Sequence, residues 1–152
     1  MTISRMTWGV KASFRAYVEA AEGTITVSNG AMRNADGEFV FPALPGGDLA
    51  LPEDGAPSGM VRFQGTVSFD AHGGMLKATL GELAVEADAE GLVLTAAKVA
   101  SGTGRCAIAR LGSPASAADG SVTMDSAITF DGMFEIADNY PPGTPLDPVR
   151  LD

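Results

Sequence analysis

The chain holds one cysteine and one histidine in 152 residues. A lone cysteine excludes an intrachain disulfide and a cysteine-rich metal site. One His and one Cys make no zinc site without carboxylates, and no ligand spacing suggests one. Cys106 lies in the apolar run Arg105-Cys-Ala-Ile-Ala-Arg110 and reads as a small buried hydrophobe rather than a reactive thiol. Basic residues are scarce as well. Ten Lys and Arg stand against nineteen Asp and Glu, giving a formal charge of -9. A phosphate backbone is bound by clustered cations, and these ten are scattered, so no nucleic-acid partner is expected. No stretch approaches the roughly 18 apolar residues that span a membrane, so no membrane insertion is expected. Arg5 is followed by no apolar run of the kind a secretion signal carries. With Met1 as the native start the expected address is the cytoplasm; a chain trimmed of its signal would be an exported one. Catalytic signatures are missing too. Gly102 and Gly104 precede a strand rather than opening a helix, so there is no phosphate loop, and there is no G-x-S-x-G elbow. Asp36-Gly37 and Asp54-Gly55 are turns without the rest of a calcium loop.

What is present suits one ordinary domain over residues 1–152, with 45% hydrophobic residues to build a core. One stretch reads clearly as helix. Phe14, Tyr17, Val18 and Ala21 follow the i, i+3, i+4, i+7 spacing of a single face, with Ser13 as N-cap and Gly23 as stop. A lone amphipathic helix beside strands must lie on a sheet, which points Tyr17 at the interior.

The rest is strand and turn. Gly23 to Ser28 alternates, and Asn29-Gly30 is a hairpin dipeptide with Ala31 to Arg33 as its return strand. Asp36-Gly37 leads into Glu38 to Phe41, which Pro42 stops. Residues 42–58, rich in Pro, Gly and acidic residues, read as a long loop able to flap over a pocket. From Met60 to His72 strict alternation predicts one long half-buried strand, turned back at Gly73-Gly74 into Leu76, Ala78 and Leu80. Further strands are read over 83–88, 92–96, 105–111 and 122–130. The four prolines of the tail exclude helix there. Short, regularly interrupted strands of this kind predict a mainly β protein. The expected form is an antiparallel sandwich or barrel-like sheet with one short N-terminal helix.

Two polar aromatics are left as chemical candidates. On the helix pattern alone Tyr17 reads as a core tyrosine whose hydroxyl meets a carbonyl. His72, beside two glycines at a strand corner, reads as an exposed turn residue.

Three segments together alter that balance. Trp8-Gly-Val-Lys-Ala-Ser-Phe-Arg-Ala-Tyr-Val18, His72-Gly-Gly74 followed by a strand, and Tyr140-Pro-Pro-Gly-Thr-Pro-Leu-Asp-Pro-Val149 occur in that order. The chain thereby resembles the HtaA family, haem-binding domains of Gram-positive bacterial haem uptake, from Trp8 to Val149. The resemblance implies a mostly β domain that binds haem through a tyrosine. It sets Tyr17 where the axial metal ligand is expected and His72 where its hydrogen-bonding partner is expected. A phenol ligates poorly until it loses its proton; ferric iron favours the phenolate, and a histidine hydrogen bond tunes it. The porphyrin needs apolar walls, for which Phe14, Val18, Phe69 and Met75 are candidates. Ser13, Lys11 and Arg15 are candidates to meet propionates.

Two other readings stay open. In the first, Tyr17 and His72 form the acid/base pair of a cofactorless enzyme, or line a binding protein for another apolar small molecule. In the second, the chain is an interaction module, a homodimer through an exposed sheet edge.

Overall fold

Alternating sequence becomes strand nearly everywhere it occurs. The computed structural model describes residues 2–152. Its elements in chain order are β1 (Arg5–Trp8), α1 (Ala12–Ala20), β2 (Thr24–Ser28), β3 (Met32–Arg33), β4 (Phe39–Pro42), β5 (Met60–Arg62), β6 (Thr66–Ala71) and β7 (Leu76–Gly81). They continue with β8 (Ala84–Asp88), β9 (Gly91–Ala97), β10 (Arg105–Leu111), β11 (Ala115–Ser116), β12 (Val122–Ile128), α2 (Phe130–Glu135) and β13 (Pro145–Leu151). Among the described residues the strands form two antiparallel sheets. The larger runs β3-β4-β1-β13-β12-β10-β9-β8-β5, with β11 on β12; the smaller is β2-β6-β7. One bridge, Ala43 to Phe63, links the chain just after β4 to the chain just after β5 without a continuous ladder, so the sheet stays unclosed. The mainly β, sandwich-like expectation holds.

Aromatic side chains fuse the layers. Trp8, Phe39 and Phe41 come from the larger sheet, Phe69 from the smaller and Phe14 from α1, and all are buried. Phe69 meets Phe39 edge-on at 5.8 Å and Phe14 at 4.9 Å, so one ring ties sheet, sheet and helix together.

Several local expectations give way to packing. Asn29 and Gly30 do turn with positive φ, at 56° and 100°. Yet the strand that follows pairs with β4 in the larger sheet, while β2 pairs with β6. The long strand from Met60 to His72 is two strands, because Gly65 takes φ 119° and sends β5 and β6 into different sheets. A side chain at Gly65 would meet the backbone of Ala31. Residues 42–58 do not cover the site. They fold on themselves through the Ala50–Ser58 bridge and pack beside Ile3 and Val61. Lys11, not Ser13, occupies the N-cap of α1, and the left-handed residue that ends the helix is Glu22 at φ 58° rather than Gly23.

The helix is also not alone. Phe130-Asp-Gly-Met-Phe-Glu135 forms α2, capped by the Thr129 hydroxyl, which accepts from the Gly132 N–H. It lies on β10 at a glycine for a steric reason, since a Cβ at Gly132 would enter the Ile108 carbonyl. Gly132→Ala is therefore expected to lift α2 and cost about 1–3 kcal/mol, read as a lower midpoint in urea.

Candidate functional site

The N-terminal and C-terminal motifs are two halves of one construction. Strand β1 brings in Trp8, whose indole N–H donates to the Asp147 carbonyl at 3.0 Å. Three residues on, the chain turns into α1, and its first free N–H, that of Ala12, donates to Asp147 Oδ1 at 2.9 Å. The helix cap thus comes from a residue 135 positions away rather than from Ser13. The other carboxylate oxygen, Oδ2, takes the Arg15 guanidinium at 2.7 Å, and Arg15 also donates to the Gly9 carbonyl. Asp147 in turn donates its backbone N–H to the Val10 carbonyl. One aspartate between two prolines therefore fixes where α1 starts and how it is rotated. That rotation buries Phe14 and Val18 in the core.

Tyr17 does not point inward. It sits on the flank of the apolar stripe, 49% exposed, with its ring over the edge of a cleft. From the other side comes the turn after β6. His72, Gly73 and Gly74 all have left-handed backbone, at φ 53°, 63° and 92°. Three such residues in a row make a sharp corner, and histidine in this region is strained, by about 1–2 kcal/mol. The corner sets His72 Nε2 2.6 Å from the Tyr17 hydroxyl. The two candidates, 55 residues apart in sequence, form one hydrogen-bonded pair. Either partner donates, according to the imidazole tautomer. A neutral phenol gives its proton to a bare Nε2, and a phenolate accepts one from Nε2–H. The pair is thus able to take up or stabilise negative charge on the phenol oxygen.

The cleft beside it measures about 590 Å³, within the range of small-molecule sites. Phe14 and Tyr17 line it from α1, Met75 to Lys77 from the turn and β7, and Met133, Phe134 and residues 136–140 from α2 and its continuation. Phe14 and Met75 are wall residues as expected, Met75 almost wholly exposed at the mouth. Val18 and Phe69 are not walls: both are buried in the core behind Phe14. Lys11 lies at the margin, donating to the Pro145 carbonyl at 2.8 Å with its ammonium 5.6 Å from the centre of the Tyr140 ring. Arg15 is consumed by Asp147, and Ser13 is absent from the lining. The cation among the lining residues is Lys77, weakly paired with Asp70 at 3.8 Å.

Sequence reading missed the α2 wall and the part played by Tyr140, whose ring stands edge-on to Phe14 at 6.2 Å. Tyr140 opens the third motif, so the signal was present without a partner to assign it to. Among the described residues no group of three or more His, Cys, Asp or Glu is gathered to hold a metal ion. A phenol and an imidazole alone are too few donors to chelate a bare cation. Any metal bound here must arrive with most of its ligands already attached. Cys106 stays outside this chemistry: burial, and then the nearby Glu135, push its thiol up from the ordinary value.

Comparison with known proteins agrees with this layout. The HtaA family pattern matches residues 4–152. The solved structure of the C-terminal domain of HtaA from Corynebacterium glutamicum aligns at a TM-score of 0.77 with 26% identity, over 99% of this chain and 94% of that one. The N-terminal domain of the same protein aligns at 0.73 with 21% identity, over 99% and 96%. The heme binding protein HtaB from that organism aligns at 0.68 with 19% identity, over 98% and 91%. The last two, so distant in sequence, speak for the fold alone. No curated protein matches the chain in sequence.

Proposed function

The chain belongs to the HtaA family, and from that premise we propose that its cleft binds haem, with Tyr17 as the iron ligand and His72 as the residue that tunes it. The observation that carries this reading is the 2.6 Å contact between the Tyr17 hydroxyl and His72 Nε2 at the edge of a cleft of ligand size. The residues fit the group. Phe14, Phe134, Tyr140, Met75 and Met133 offer aromatic and thioether surface that suits a flat apolar macrocycle. Lys77, Asp138 and Asn139 make other parts of the lining polar, and a lone phenolate suits a metal that brings most of its own ligands. When bound, haem supplies a Lewis-acidic ferric iron for a hard oxygen donor. The protein supplies the rest. His72 draws the proton from the phenol or stabilises its anion, α1 holds Tyr17 at the rim, and Lys77 stands where a carboxylate at the mouth would be neutralised. The open mouth and the single protein donor favour a carrier that must give its cargo up.

Hemin titration tests the reading. At one equivalent, purified protein should show a high-spin ferric spectrum with a tyrosinate charge-transfer band. A spectrum identical to free hemin would sink it, leaving Tyr17 and His72 as the acid/base pair of a cofactorless enzyme or the lining of another small-molecule site. The corner at His72 gives a sharper check. His72→Gly removes the imidazole but suits the left-handed backbone. The variant should unfold at the same temperature as the parent or higher, gaining up to about 1 kcal/mol. Its hemin affinity should nonetheless fall by roughly 10–100-fold. Stability and binding moving in opposite directions would mark His72 as held there for the site.

A further inference from the structure

One buried carboxylate lies outside the Tyr17–His72 pair and outside the lining of the cleft. Glu135, the last residue of α2, is only 2% exposed. Its side chain turns away from the cleft into the loop that links β9 to β10. There Oε1 accepts the N–H groups of Val99 and Ala100, and Oε2 accepts that of Ser101 at 3.0 Å. Three successive backbone N–H groups converging on a single anion form a nest. Here the anion is the protein's own.

The consequence lies in what α2 carries. Met133 and Phe134, the residues just before Glu135, line the cleft, and so does the run from Ile136 to Tyr140 just after it. The helix is only 6 residues long, too short to hold its position by its own hydrogen bonds. At its start it is fixed by Thr129, whose hydroxyl donates to the Ala107 carbonyl. At its end Ile136 is buried in the core, and the polar fixing contact is Glu135 in the nest. We infer that Glu135 is a positioning residue for the ligand site, its carboxylate in the 99–101 nest acting as the latch that holds the α2 wall closed on the cleft. This rests on the reading of the cleft as the haem site.

The surroundings keep the latch charged. Burial raises the Glu135 carboxyl, but the Val99, Ser101 and Ala100 donors outweigh it, and its pKa lies below the usual carboxylate range. The Cys106 thiol lies near enough to feel its charge, with Asp131 on the same helix and Lys98 and Arg105 at the two ends of the loop. A negative group among these is satisfied by the backbone donors. Glutamine there would turn an N–H toward the Ser101 N–H and leave two donors facing each other. The loop closes on itself through the Lys98 N–H and the Gly104 carbonyl, so it is able to move as a unit with the wall once released.

The test uses the full chain and two variants. Glu135→Gln alters the latch from the helix side; Ser101→Pro removes one N–H donor from the exposed loop side and leaves the core untouched. Both should keep the wild-type ferric spectrum, because the ligand pair is unchanged. Both should lose hemin to an excess of scavenging apoprotein about tenfold faster than wild type. Amide exchange supplies the readout that a purely structural role would leave unmoved. In the wild type, hemin should slow exchange at Val99 to Ser101, which lie outside the cleft, as well as at 133–140. In Glu135→Gln the protection at 133–140 should remain and that at 99–101 should vanish. Wild-type dissociation rates in both variants, or protection of 99–101 that persists in Glu135→Gln, would overturn the latch. Failure of the wild type to bind hemin at all would overturn the haem reading by itself. The latch is then judged without ligand. Exchange that speeds up together at 99–101 and 133–140 in Glu135→Gln supports it, and speeding at the loop alone ends it.

Discussion

Tyr17→Phe should leave a protein that folds as before and no longer gives the high-spin tyrosinate spectrum with hemin. The change removes one oxygen from a ring that is about half exposed at the rim of the cleft. Phe14 and Val18, which anchor the helix, are untouched, so the unfolding free energy should stay within about 0.5 kcal/mol of the parent. Binding is another matter. Replacing a residue that supports a metal ligand costs roughly 10–100-fold in affinity, and removing the ligand atom itself should cost on the order of 100-fold or more. Residual binding to the aromatic and methionine side chains of the lining would still broaden the hemin spectrum without the charge-transfer band. The measurement is a paired hemin titration and chemical denaturation. A Phe variant that keeps the band would remove Tyr17 from the metal and send the search to Tyr140, which lines the same cleft.

The second large effect is structural and falls on Asp147. Asp147→Ala removes the cap on the Ala12 N–H and strands the Arg15 guanidinium, whose side chain is 11% exposed. Loss of a helix cap costs about 1 kcal/mol. Leaving a mostly buried cation with only the Gly9 carbonyl adds about 2 kcal/mol, less than for a fully buried pair because water still reaches it. The sum of about 3 kcal/mol should lower the melting temperature by roughly 6–12 °C. Asp147→Asn keeps an oxygen for the Ala12 N–H but loses the charge opposite Arg15, and should show about half the loss. The bond from the Trp8 indole survives both changes, since it uses the Asp147 carbonyl. Hemin affinity should fall with Asp147→Ala well below the melting range, because the rotation of α1 sets Tyr17 against His72. An Ala variant as stable as the parent would mean that the backbone contacts of residue 147, to the Trp8 indole and the Val10 carbonyl, fix the helix without the carboxylate.

Much of this was readable from residues, and the failures share one cause. The alternation from Thr66 to Ala71 placed Val67, Phe69 and Ala71 inward, as they are, and the two glycines after His72 announced the corner. Alternation does not tell which sheet a strand joins. The side-to-side pattern runs through Gly65 unbroken while the backbone changes sheets. Helical spacing likewise defines a stripe but not how much of it is covered. Phe14 and Val18 face the core, and Tyr17 on the flank faces the cleft. Helix α2 was invisible because it has 6 residues, an internal glycine and two aromatics that suit a strand equally well. Its glycine is needed only because the Ile108 carbonyl approaches there. The candidate pair Tyr17 and His72 was nameable through the family resemblance, whereas the dependence of α1 on Asp147 spans 135 residues and leaves no local trace.

The place of β13 between β1 and β12 bears on the order of events during synthesis. Until residues 145–151 leave the ribosome, β1 has β4 as its neighbour and the start of α1 lacks the Asp147 carboxylate that caps and orients it. A nascent chain that already contains Tyr17 and His72 still lacks the fixed platform on which they meet. The meeting of Tyr17 with His72 on a fixed helix therefore waits for β13 to slot in between β1 and β12. Until then one wall of the cleft, α1, has no fixed footing.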